Sequence, residues 1–149
     1  MQAFRRGHIG RALARARWTF EAQFDARIRR RGFTDFRASD VEVIARVPLA
    51  EGTRLTDLAA RAPVSKQALG KLVASLERRG YVERHPDPED GRAQRIVLSA
   101  RGRAFLEAAR DVVGEVEAEW ADVLGPAELT RLRKALLKAA DAMGPAEYL

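Results

Sequence analysis

Residues 55–102 read LTDLAARAPVSKQALGKLVASLERRGYVERHPDPEDGRAQRIVLSARG, and the fold is decided within this run. Thr56 can cap a helix carrying Leu58, Ala59 and Ala62, and Pro63 then breaks it. Ser65 caps a second helix that runs to Arg79 and is closed by Gly80. Two helices joined by a turn of a few residues have the spacing of a helix-turn-helix. The segments YVERH and QRIVLS are short strands on either side of PDPEDGRA, so they form a hairpin with a long tip. Ser99 then caps another helix.

The helix after Ser65 has two unlike faces. Leu69, Leu72, Val73 and Leu76 form one apolar stripe that must pack on the domain. Opposite them lie Gln67, Lys71, Ala74 and Arg78, with Lys66 and Gly70 beside that face. A helix read by DNA needs polar, short-chained first turns for base edges and longer cations for phosphates. Gln67 can pair bidentately with adenine, and Lys71 can reach guanine O6 and N7. Lys66 and Arg78 are suited to phosphates. Gly70 costs about 1 kcal/mol relative to alanine inside a helix, which close approach to another backbone or to DNA would explain. The plainer reading is a solvated face on a two-helix corner.

The hairpin adds to the DNA reading. Arg92 stands at its tip beside Gly91, with Arg95 on the return strand, and a narrow minor groove attracts an inserted arginine. Asp90 can hold that guanidinium or brace the turn. The acids Glu83, Asp87, Glu89 and Asp90 dilute any simple basic patch, and are expected to face away from phosphate or to pair with arginines. Without the preceding helix, the hairpin would be an ordinary charged turn.

Outward from this centre the chain is helical. Residues 8–31 place Ile9, Leu13, Ala16, Phe20, Phe24 and Ile28 on one stripe, with Trp18 about 180° away, so burial on two sides is expected. Gly32 ends that helix. RASDVEVIARV is a shorter helix, with Ser39 or Asp40 near its start and Pro48 at its end. After Ser99, Phe105, Ala109, Val112, Val116, Trp120 and Val123 recur at helical spacing. Gly125-Pro126 turns the chain into a last helix with Leu129, Leu132, Leu136, Ala139 and Met143, ending at Gly144-Pro145.

Composition limits the alternatives. The 149 residues are 46% hydrophobic and 32% charged, which is globular, and the net charge of +6 admits an anionic partner. Residues 1–49 carry eleven Lys/Arg against five acids, and residues 99–149 carry seven against nine. The cationic excess therefore lies at the start and centre. No cysteine is present, which excludes disulfides, thiolate catalysis and zinc fingers. No apolar run approaches the roughly 20 residues that span a bilayer. The arginine-rich N-terminus lacks serine and continues into a helical pattern, so it reads as structure and not as a transit peptide. A cytoplasmic protein is expected.

The order helix-turn-helix, strand, DGR hairpin, strand, LSARG and long helix resembles the MarR family of winged-helix transcriptional regulators, over nearly the whole chain. The family's Asp-x-Arg wing motif, its strand ending in Leu-Ser/Thr and its later glycine correspond here to Asp90, Arg92, Leu98, Ser99 and Gly102. The resemblance implies a homodimer with intertwined first and last helices, presenting two winged helices to one palindromic site. It also implies a small aromatic or anionic effector bound between the dimerisation helices and the DNA-binding lobe. Trp18, Phe36 and Asp40 are ligand candidates because they fall on helices lining that crevice in relatives; the alternative for each is core or interface packing. Peroxide sensing through cysteine is ruled out.

The residues speak to other function classes as well. His8 and His85 are the only imidazoles, and His85 with Asp87, Glu89 and Asp90 could suggest a metal or acid-base site. A hairpin tip, however, preorganises catalysis poorly. A winged helix that binds protein should expose apolar residues where this chain has Gln67, Lys71 and Arg78. Membrane attachment through the first helix would need an apolar stripe already claimed by packing. The expected architecture is mainly α with a small β-hairpin wing. An N-terminal dimerisation helix occupies 1–36, a winged helix-turn-helix lobe 37–99, and C-terminal dimerisation helices 100–149. The expected function is a repressor-type regulator of double-stranded DNA, with no enzyme activity, cofactor, metal or membrane partner.

Overall fold

Helix α1 spans Ile9–Arg30, opened by His8, whose Nδ1 accepts the Arg11 N–H at 3.3 Å. It closes at Arg31, with Gly32 at φ +92°. The computed structural model describes residues 7–36, 38–49, 51–60 and 65–143, with the side chains of 38, 39, 42 and 66 outside the description. The expected helix break at Ala62 and Pro63 and the end at Gly144-Pro145 lie outside the described residues, as does the Ser39 side chain.

Helix α2 is Ala38–Ile44, three residues shorter than its apolar pattern suggests. Turn bonds from Arg46 to Val43 and from Val47 to Ile44 take over before Pro48 is reached. Strand β1, Thr53–Arg54, follows, and helix α3, Leu55–Ala60, begins directly after it. Thr56 is therefore inside the first turn and does not cap it. Helix α4 is Lys66–Arg78, capped by the Ser65 hydroxyl, which accepts the Ala68 N–H at 3.2 Å. Strands β2, Val82–Pro86, and β3, Gln94–Leu98, make the hairpin, and the antiparallel sheet has the order β1-β3-β2. Helix α5 is Ala100–Leu124 and helix α6 is Pro126–Met143, with Gly125 between them.

The core forms where α1, α2, α4, the sheet and α5 converge. Leu69, Val73 and Leu76 of α4 are fully buried with Ile44, Leu58 and Ile96. Phe33, Phe36, Tyr81 and Phe105 form an aromatic group in which Phe36 stacks on Phe105 at 3.8 Å between centroids. Along α1 and α5 the apolar contact, with Phe20 edge-on to Trp120 at 6.0 Å, is flanked by polar ones: Arg27 and Arg31 hold Glu115, and the Trp120 ring N–H donates to Gln23 at 2.9 Å. The stripe of α1 leaves the core toward its start, where Ile9 is 75% exposed. No residue of α6 is buried among those described.

The link from wing to α5 depends on contact too close for a side chain. Ser99 donates its N–H to the Tyr81 carbonyl at 3.1 Å, and its hydroxyl bonds the Gly80 carbonyl and accepts the Gly102 N–H. A Cβ on Gly102 would lie 2.1 Å from the Tyr81 carbonyl oxygen. The first turn of α5 is thus pressed onto the Tyr81 backbone just before β2, with the Leu98 side chain also within 3.4 Å of that Cβ. Gly102→Ala is expected to lower stability by about 1–3 kcal/mol through overpacking. Urea unfolding followed by circular dichroism measures this; an unchanged midpoint would show that the junction can relax.

Candidate nucleic-acid interface

Helix α4 offers the polar face expected of it. With Leu69, Val73 and Leu76 inside, Gln67, Lys71 and Arg78 are exposed and Ala74 and Gly70 are half-buried. The Lys66 side chain lies outside the described residues. A Cβ at Gly70 would meet nothing within 4 Å. Intramolecular packing therefore does not require this glycine.

The C-terminal end of α4 is fixed by Arg79. Its guanidinium gives two hydrogen bonds to Asp40, at 2.6 and 2.8 Å, and a third to the Asp35 carbonyl at 2.8 Å. The Asp40 hydrogen bond raises the Arg79 pKa despite burial. Asp35 also accepts from the Tyr81 hydroxyl at 2.8 Å and from Arg101 at 2.9 Å. Burial pushes the Asp35 carboxyl up, but Tyr81 and Arg101 outweigh it and hold the group below its usual value. The Tyr81 phenol is pushed up to about 12 by burial and by its bond to Asp35.

These placements correct the expected ligand residues. Phe36 is 4% exposed and belongs to the aromatic core, and Asp40 is fully buried against Arg79. Both hold the fold together. Trp18 alone of the three presents its ring to solvent, 74% exposed, beside a shallow concavity bordered by Ala22, Gln23, Ala26 and Arg30. Neither Phe36 nor Asp40 lines that concavity.

In the hairpin the charges divide into two groups. At the tip, Asp90 accepts the Arg92 N–H at 3.0 Å and its carbonyl accepts the Ala93 N–H at 2.8 Å. Asp90 thus braces the turn through the backbone, leaving the Arg92 guanidinium exposed and unpaired among the described residues. At the base, the Asp87 carboxylate accepts from Arg54 at 2.6 Å and Arg95 at 3.0 Å, and Arg95 also donates to the Glu51 carbonyl. Arg95 is therefore part of the wing's own framework. The Arg54 hydrogen bond, more than any other effect, holds the Asp87 carboxyl well below the usual carboxylate range, and the Arg54 pKa is raised in turn. Asp87 pairs with arginines, as expected of the wing's acids, but Arg54 and Arg79 do not stand out in the sequence. Asp87 looks like its three acidic neighbours there, and its partner Arg54 lies 33 positions away.

The grouping of His85 with Asp87, Glu89 and Asp90 is also revised. His85 sits 3.1 Å from Glu83, while Asp87 is occupied by arginines. No cluster of metal-ligating side chains occurs among the described residues, and no helix among them is long and apolar enough to cross a membrane.

A model of the MarR family matches residues 42–93, from α2 to the wing tip. The transcriptional activatory protein BadR of Rhodopseudomonas palustris is 30% identical over 115 residues, covering 75% of this chain. Over these residues the chain is similar to members of the MarR family. It spans 65% of BadR's length, just under two thirds. Two solved structures share the fold. A mutant MarR from E. coli complexed with operator DNA gives a TM-score of 0.71 at 23% identity, over 88% of this chain and 92% of that one. CouR from Rhodococcus jostii bound to p-coumaroyl-CoA gives 0.67 at 23% identity, over 92% and 93%. The winged helix shared with these MarR-type structures carries the exposed α4 face and the wing tip described above.

The open space at Gly70 leads to a test with opposed outcomes. Gly70→Ala is expected to stabilise α4 by about 1 kcal/mol, while weakening binding to a duplex about tenfold, or about 1.4 kcal/mol. Thermal melts and fluorescence anisotropy measure the two effects. A stabilised variant with unchanged affinity would place Gly70 away from DNA.

Proposed function

We propose that this chain is a sequence-specific DNA-binding regulator that acts as a homodimer on a palindromic operator. The observation that carries this reading is the division of the cations. Lys71, Arg78 and Arg92 are exposed, with no partner among the described residues. Arg54, Arg79, Arg84 and Arg95 each hold a carboxylate on the same lobe, as Arg101 does beside it. Cations left unpaired by the fold are those available to phosphate and base.

On this reading Gln67 and Lys71 contact bases in the major groove, and Lys66 and Arg78 contact phosphates. Arg92 enters the flanking minor groove from a turn braced by Asp90, and Arg95 contributes through the wing's framework. Ser65 starts α4, and Gly70 lets the duplex approach. The lobe of residues 37–99 does this work. Residues 1–36 and 100–149 supply the dimer, for which the exposed Leu13, Trp18, Leu132, Leu136 and Leu137 are the apolar material. The role is non-catalytic and cytoplasmic. Output is repression by occluding a promoter; the activatory name of BadR marks the alternative sign, set by where the operator lies. A small aromatic or anionic effector releases the DNA, in keeping with the CoA thioester bound to CouR. Trp18 is the candidate side chain for it.

A winged helix serving only protein contacts is disfavoured by the polar outward face of α4. Selection of bound fragments from genomic DNA should return a palindrome. Arg92→Ala should weaken that site by about 1–3 kcal/mol with the dimer intact. Affinity should also fall steeply with salt, as released counterions require. A flat salt response, or unchanged affinity in Arg92→Ala, would remove the interface.

A further inference from the structure

The sheet register creates a problem that one side chain solves. Strands β1 and β3 pair so that Arg54 stands directly across from Arg95. Like charges directly opposite on neighbouring strands repel, and β1 has only two residues with which to resist. Asp87, at the point where β2 gives way to the tip loop, puts one carboxylate oxygen between them, 2.6 Å from Arg54 Nε and 3.0 Å from Arg95 Nε. Its other oxygen accepts the Glu89 N–H at 2.8 Å, and its own N–H donates to the Ala93 carbonyl at 3.0 Å. The Asp87 side chain is fully covered, although it lies near the surface, because the two arginines themselves roof it.

Arg54 immediately precedes Leu55, the first residue of α3. The bridge therefore joins the base of the tip loop to the start of the helix-turn-helix. We infer that Asp87 is the positioning residue of the wing, fixing through Arg54 and Arg95 the angle at which Arg92 is presented relative to α4. The inference rests on the DNA-binding reading and deepens it. Asp87 does not touch DNA. It keeps two arginines away from phosphate and holds the one that Asp90's turn exposes in line with the groove. Glu89, 3.6 Å from Arg54 and 3.9 Å from Arg95, adds charge to the cluster but is largely exposed and replaceable.

The test is flank discrimination on duplexes that share the selected half-sites and differ only in flanking A·T or G·C pairs. Wild type should prefer the narrow-grooved A·T flanks by about fivefold or more, and Arg92→Ala should abolish that preference. Asp87→Asn should reduce it to within about twofold while binding both duplexes through α4, and should add almost nothing in the Arg92→Ala background. Removing one acid strengthens binding to every duplex alike, so the ratio and not the affinity is the readout. Arg54→Lys, which keeps the charge and leaves Arg95 on Asp87, should give a smaller loss in the same direction and serves where Asp87→Asn does not fold. A full preference in folded Asp87→Asn or, failing that, in Arg54→Lys would overturn the inference and leave the DNA reading intact. Failure of the wild type to bind any duplex would overturn both.

Discussion

Helix α4 is fixed in direction by the side chain of Arg79, the residue that caps its C-terminal end. Apolar packing of Leu69, Val73 and Leu76 fixes which face of α4 turns outward, but it resists sliding and tilting only weakly. The bidentate pair between Arg79 and Asp40 supplies that resistance, because a planar guanidinium on a carboxylate is directional where dispersion is not. With Asp40 sealed and Arg79 mostly covered, removing either partner would strand a charge, at a cost on the order of 3–5 kcal/mol. The third hydrogen bond, to the Asp35 carbonyl, ties the same guanidinium to the linker after α1. Next to it, Arg101 lies over the Tyr81 ring at 4.5 Å and holds Asp35. The end of α4, the α1–α2 linker and the first turn of α5 therefore share one set of contacts.

The same accounting separates structural arginines from available ones. Net charge alone suggests a basic protein with a diffuse affinity for polyanions. Among the described residues of the lobe, however, Arg54, Arg79, Arg84 and Arg95 already neutralise a carboxylate, and a paired cation releases few counterions on meeting a phosphate. Among those same residues the exposed cations without a partner are placed: Lys71 and Arg78 on one helix face, and Arg92 at the wing tip. Few free cations on a rigid frame favour discrimination over bulk affinity.

Signals confined to a few neighbouring residues were legible in the sequence. Ser65, Gly80, Ser99 and Pro126 mark the boundaries of α4, α5 and α6 because capping and turn chemistry are local. The outward face of α4 follows from helical periodicity. What could not be read depends on distant partners. Strand β1 is too short to have a period and exists because β3 pairs with it. Asp87 differs from Glu83, Glu89 and Asp90 only through Arg54 and Arg95. Phe36 and Asp40, taken for crevice residues by likeness to relatives, are core because Phe105 and Arg79 come to meet them. Gly52 is similar: a Cβ there would lie 2.5 Å from the Ile96 carbonyl, a clash that only the folded sheet creates.

The stem formed by α1, α5 and α6 presents the opposite case, a pattern plain in the sequence that one chain does not satisfy. Helix α6 has a regular leucine stripe, yet Leu132, Leu136 and Leu137 remain between 38% and 58% exposed. Most helical stability in proteins comes from burying such a stripe, and 18 residues without that burial would be marginal in water. Leu13 and Trp18 of α1 are likewise exposed. A second copy related by twofold symmetry would cover both sets with the same residues, which is the economy of an isologous interface. The rigid joint at Arg79, Tyr81 and Phe105 would then matter twice over. The spacing of two α4 helices would be set by the stem, and any compound that spread or twisted the stem would change that spacing at both half-sites together.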